Sequence, residues 1–155
     1  MVMKNSFKLP QLLLRFTLGI GFLTPVFDRL GFLGPFGGRN IEWGNWENFI
    51  NYTGTLMPFL GRPAVNIMGG IATIAEASIG ILLIVGFKTR QVAIGSCLLT
   101  LAFATSMSIF IGIKAPINFA TFPFSAASLL LATIPFYAWS IDALSKKAAK
   151  SGAGL

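Results

Sequence analysis

Residues 66–87 read NIMGGIATIAEASIGILLIVGF, an apolar run whose single charged residue is Glu76. Arg62 precedes the run and Lys88 follows it. At 1.5 Å per residue a helix of this length reaches about 33 Å, enough to cross a hydrocarbon layer of roughly 30 Å. Lipid offers the backbone no hydrogen-bond partner, so helix is the state such a segment must take. A carboxylate near the bilayer centre costs about 2.5–3.5 kcal/mol on insertion scales. Glu76 must therefore be protonated, paired or turned toward a polar cavity.

Composition extends this reading to the whole chain. The 155 residues are 54% hydrophobic and 11% charged, where a soluble domain carries about 25% charged residues. So few charges cannot cover a water-facing surface, and membrane lipid becomes the main partner. Spans are expected at about 9–30, 64–87, 91–113 and 117–141, within one domain covering 1–155. The turns at Gly86–Arg90 and Lys114–Pro116 are short, which forces neighbouring spans antiparallel. The expected fold is all-α: a polytopic membrane protein with an antiparallel bundle of four transmembrane helices.

The net charge of +7 does not point to nucleic acid. Basic residues sit at the ends of apolar spans, as topology signals do, and form no stripe with interleaved aromatics. Lys4, Lys8, Lys88, Arg90, Lys146, Lys147 and Lys150 fall on one side, with Arg15 close to it. Arg29, Arg39, Arg62 and Lys114 fall on the other. This bias places both termini in the cytoplasm. Lys4 and Lys8 before an apolar run look like a secretory signal, but the run is long, contains Arg15 and lacks a small-x-small cleavage site. It reads as a retained first helix.

There is no histidine and one cysteine, Cys97. The common haem, zinc and dithiol sites need histidine or more than one cysteine, so one chain cannot assemble them, and no covalently bound cofactor is expected. Cys97 lies in an apolar run and reads as a small buried residue.

Residues 31–62 form the one sizeable segment outside the spans. GFLGPFGGRN is a glycine- and proline-rich loop. After it, Trp46, Phe49, Ile50, Thr53, Met57 and Leu60 repeat at helical spacing, and Trp43, Trp46 and Tyr52 are types that favour the headgroup level. The spacing predicts a helix on the outer membrane surface or capping the bundle there. Asn51-Tyr52-Thr53 also matches a glycosylation triplet.

Close helix contact in lipid depends on small residues. The third span carries Ser96, Thr100, Ala104, Ser108 and Gly112 at spacing four. The second carries Gly69-Thr73-Ala77 and Ala72-Glu76-Gly80, and Thr17 with Gly21 extends the pattern to the first. Pro25, Pro123 and Pro135 fall inside expected spans and should kink them.

Arg15 and Glu76 are the charged residues clearly inside the apolar layer. Opposite signs suggest a direct or water-mediated pair. Against this, helical side chains lean toward their own N-terminus, which carries Arg15 toward the cytoplasm and Glu76 away from it, so Arg15 snorkelling to inner headgroups is the alternative. Asp28 and Arg29 either mark the outer interface or line a pocket mouth opposite Trp43 and Trp46. Lys114, with Asn118 and Thr121, is either a boundary marker or a site for an anionic headgroup.

The run LLLRFTLGIGFL (12–23) places an arginine a turn into the first helix and glycines after it, and IATIAEASIGILLIVGFKTR (71–90) places a glutamate before Gly80 and a glycine-x-basic turn. With four short spans, this resembles the DoxX-like family of small bacterial membrane proteins, over about Leu12 to Leu131. The resemblance implies a bacterial inner-membrane protein, linked in that family to quinol oxidase and thiosulfate:quinone oxidoreduction, with Arg15 and Glu76 as the family-like polar positions. It implies an accessory subunit that binds a quinone or a partner between helices, associated with other membrane subunits or with copies of itself. A small proton-coupled carrier or lipid-binding bundle, and a purely structural subunit, are the competing readings. Whether the chain is itself an enzyme stays open.

Overall fold

Arg62–Val85, Lys8–Arg29 and Thr89–Phe110 are each helical over 22 to 24 residues and apolar enough to cross a membrane. They come from a computed structural model that describes residues 7–152. In chain order the helices are α1 (Lys8–Arg29), α2 (Trp46–Leu56), α3 (Arg62–Val85), α4 (Thr89–Phe110), α5 (Lys114–Asn118), α6 (Thr121–Thr133) and α7 (Ile141–Gly152). Lys4 lies outside the described residues.

The expected span 117–141 is not one continuous helix. Ala120 adopts a left-handed conformation (φ 52°) between α5 and α6. At the other end Ile134 is extended (φ −67°, ψ 129°), because the ring of Pro135 disfavours a helical residue before it. The 13 residues of α6 reach only about 20 Å. Pro123 sits in the first turn of α6, where its missing N–H is not needed by the helix. Pro135 lies outside any helix.

The helices associate as two close pairs, α1 with α3 and α4 with α6. The first pair crosses at glycine. A Cβ built on Gly80 would lie 2.9 Å from the Gly19 carbonyl oxygen, and one built on Gly19 would lie 2.9 Å from that of Gly80. Backbones that near leave no room for a side chain. We expect Gly80→Leu to separate α1 from α3 and lower stability by about 1–3 kcal/mol or more, read as thermal unfolding in detergent; an unchanged midpoint would mean that the helices do not need this crossing.

The second pair uses the small-residue ridge of α4. Ser96 and Ser128 share a buried hydrogen bond of 2.6 Å, and Thr100 and Ser125 one of 2.8 Å. Ala104 is fully buried on the same ridge. Outward-facing side chains are apolar, among them Ile20, Ile74, Leu98 and Leu130, as lipid contact requires.

Asn45 begins α2 by accepting a hydrogen bond from the Asn48 backbone N–H, which satisfies one free donor of the first turn. The helix buries Phe49, Ile50, Thr53 and Leu56. Gly69 of α3 makes room for Phe49 and Ile50, since a Cβ there would stand 2.6 Å from Ile50 Cδ1. Ser106 of α4 donates to the Leu56 carbonyl at 2.8 Å. Thus α2 closes one end of the space between the helix pairs.

Candidate functional site

Glu76 pairs with Arg29, not with Arg15. Arg29 Nη2 donates to Glu76 Oε2, and both residues are almost fully buried (1% and 6% exposed). The lean of helical side chains explains the choice of partner. Counted from the Gly19–Gly80 crossing, Arg29 lies about 15 Å along the layer and Glu76 about 6 Å. Arg29 leans toward the N-terminus of α1, into the layer, and Glu76 leans toward the N-terminus of α3, out of it. The two side chains therefore converge.

The rest of the Arg29 guanidinium is also held. Nε donates to the Pro25 carbonyl at 2.9 Å, and Nη1 to the Thr73 hydroxyl at 3.0 Å. The Arg29 side chain thus adds a bond to the Pro25 carbonyl, while the carbonyl left without its helical N–H partner by Pro25 is that of Gly21. The charge lies 4.2 Å from the centre of the Phe49 ring and 5.7 Å from that of Trp43, a cation–π arrangement. Three of the five guanidinium N–H bonds are used in this way.

Arg15 neither pairs with Glu76 nor snorkels. It is fully buried and donates to four backbone carbonyls: Leu83 (2.9 Å), Ile84 (2.8 Å), Ala138 (3.1 Å) and Trp139 (3.4 Å). Leu83 and Ile84 end α3, where carbonyls have no partner within the helix. Arg15 supplies those bonds and ties residues 138–139 to the same point. Its role is to join chain segments at the end of the fold away from α2.

Asp28 holds the loop before α2. Its carboxylate accepts backbone N–H bonds from Glu42 (2.9 Å), Trp43 (3.2 Å) and Gly44 (2.9 Å). Gly44 has φ 65° and no space for a Cβ, which would meet the Phe36 backbone nitrogen at 2.3 Å. Neighbouring residues on α1 thus do two jobs: Asp28 fixes the loop, and Arg29 reaches Glu76.

A cavity of about 380 Å³ lies between the helix pairs beneath α2 and the Trp43 loop. Phe22, Leu99, Phe103, Met107 and Phe124 give it apolar walls, while Arg29, Glu76 and Thr100 add polar groups. Tyr52 lines it as well, and its buried hydroxyl has no hydrogen-bond partner among the described residues. Burial, and after it the negative charge of Glu42, push the Tyr52 phenol above its ordinary pKa. The hydroxyl therefore stays protonated and remains a hydrogen-bond donor.

Other expected site residues lie elsewhere. Trp46 does not line the cavity; its indole N–H donates to Asn66 of α3 at 2.8 Å. Lys114 and Asn118 are exposed on α5, and of their group only Thr121 reaches the cavity. Sequence reasoning missed Phe103 and gave Tyr52 only a headgroup role. Tyr52 falls off the apolar stripe of α2, so periodicity did not mark it as inward-facing.

Comparison with family models, with curated proteins and with solved structures finds no match.

Proposed function

We propose that this protein is a membrane accessory subunit of a quinone-linked redox system and that its cavity holds a quinone-type ring. The observation that carries the reading is the apolar cavity lined by the buried Arg29–Glu76 pair and by Tyr52, whose hydroxyl has no hydrogen-bond partner among the described residues. Pockets for small organic molecules combine mostly apolar walls with a few placed polar groups, at about 300–1,000 Å³. A quinone needs donors for its carbonyl oxygens, and Tyr52 O–H is one. A quinol needs an acceptor for its hydroxyls, and Glu76 is one. Both forms would find a partner in the same space.

The resemblance of the Arg15 and Glu76 regions to the DoxX-like family supports the same reading. The cytoplasmic placement of both termini rests on the basic bias. That bias survives when the two internal arginines, Arg15 and Arg29, are removed from the count, leaving seven against three.

Tryptophan fluorescence tests ring binding. Trp43 lines the cavity and packs against Phe49 with ring centres 5.4 Å apart. A short-tailed benzoquinone added to the detergent-solubilised chain should quench saturably, and Trp43→Phe should remove the saturable part. The double variant Arg29→Met/Glu76→Leu should weaken binding about tenfold, the worth of one charge-assisted hydrogen bond. Linear quenching, equal in all variants, would overturn the proposal and leave the carrier and structural readings.

A further inference from the structure

We infer that the ligand carries a hydrocarbon tail, and that it enters from the bilayer and keeps this tail in the seam between α3 and α4; this rests on the ring-binding reading above. The cavity volume, about 380 Å³, is near the lower limit for enclosing a whole small molecule. A ring with its oxygen substituents fits, whereas a long chain must leave. The polar groups set the direction. Arg29, Tyr52 and Trp43 stand at the α2 end, so the head sits there and the tail leaves from the apolar remainder.

The walls show where. Ile71 and Ala102 line the cavity and are also exposed on the outside of the chain, Ile71 by 56%. They sit on α3 and α4, which pack less closely than either helix packs with its own partner. The side chains that face the cavity along this seam include Ala72, Ala75 and Ala102, too small to close it. The surface around the seam is apolar, with Met68, Ile74, Leu98 and Leu101 exposed. Water and charged solutes gain nothing by entering there, while a molecule dissolved in the membrane already lies against it. The structure thus provides a polar head site, a volume that excludes a long tail and a gap on the lipid-facing side.

The test compares two probes with the same dimethoxy-methyl-benzoquinone ring, one without a tail and one with a ten-carbon chain. Each is titrated by Trp43 quenching against the full chain in nanodiscs. Ala102→Phe fills the seam at an exposed position, where folding is undemanding. Ala75→Leu fills it from the other helix. Leu98→Phe, exposed but outside the cavity, is the control. The inference expects Ala102→Phe and Ala75→Leu to weaken the tailed probe about tenfold, as two methylene groups out of contact would. The tail-free probe should lose clearly less than the tailed one, and the Leu98→Phe control should change the binding of either by less than about twofold. If both probes bind wild type and lose equally, or neither responds, the seam assignment is overturned while ring binding stands. If neither probe binds wild type saturably, ring binding itself fails and the seam assignment falls with it.

Discussion

Glu76→Ala is expected to lower the stability of this protein by about 3–5 kcal/mol, because it leaves the Arg29 charge buried and unpaired. Arg29 is 1% exposed and lies beneath Trp43 and Phe49, so it cannot turn to water without opening the α2 end. Arg29→Met should do similar damage by stranding the carboxylate. Glu76→Gln keeps an acceptor for Arg29 and should fall between wild type and Glu76→Ala. The double variant Arg29→Met/Glu76→Leu removes both charges and fills the space with apolar groups, which is often neutral for a buried pair. It should recover most of the lost stability. With Glu76→Leu alone as the second single variant, thermal unfolding of wild type, Arg29→Met, Glu76→Leu and the double variant in detergent forms a double-mutant cycle. Additive losses would mean that the two residues do not depend on each other. The recovered variant also separates fold from function, since it should fold and still bind the benzoquinone poorly.

Arg15→Leu should be comparably severe. It strips hydrogen bonds from the carbonyls of Leu83 and Ile84 and leaves that of Ala138 with the Gln11 amide alone. Each buried carbonyl left without a partner costs about 1–3 kcal/mol, and a positive group at the C-terminal end of α3 is lost with them. The total expectation is roughly 3–5 kcal/mol. Arg15→Lys should recover little, since an ammonium lacks the planar fork that reaches α3 and residues 138–139 together. Gly86 shows how closely the site is built: a Cβ there would lie 2.5 Å from Arg15 Nη2. Thermal unfolding combined with amide exchange over residues 134–142 reads the effect. Wild-type stability in Arg15→Leu would show that the guanidinium joins nothing.

Glu76 could be marked as a buried polar position from hydropathy alone, because one carboxylate in an apolar run has few physical options. Its partner could not. Arg29 stands at the end of its helix and looks like an interface residue, and Arg15 is deeper within its run. The N-terminal lean of helical side chains spoke against an Arg15–Glu76 pair without deciding it. Applied to Arg29, the same rule brings it to Glu76. What it lacked was the vertical register of α1 against α3, which the Gly19–Gly80 contact sets. Helix covers only part of the expected fourth span for a local reason. Apolar composition over 117–141 says that the segment avoids water, while the left-handed Ala120 and the constraint before Pro135 decide where helix stops.

Hydropathy read along the chain was enough to place it in a membrane, to locate its three long helices and to require that Glu76 be protonated, paired or turned toward a polar cavity. Those properties follow from hydropathy and backbone hydrogen bonding, which act along the chain. Tertiary structure alone decided that Arg29 pairs with Glu76, that Arg15 binds carbonyls, and that Tyr52 and Phe103 share a cavity. Each of these depends on the rotation and register of helices far apart in sequence. In lipid that register comes from side-chain shape, since apolar attraction does not distinguish one helix face from another.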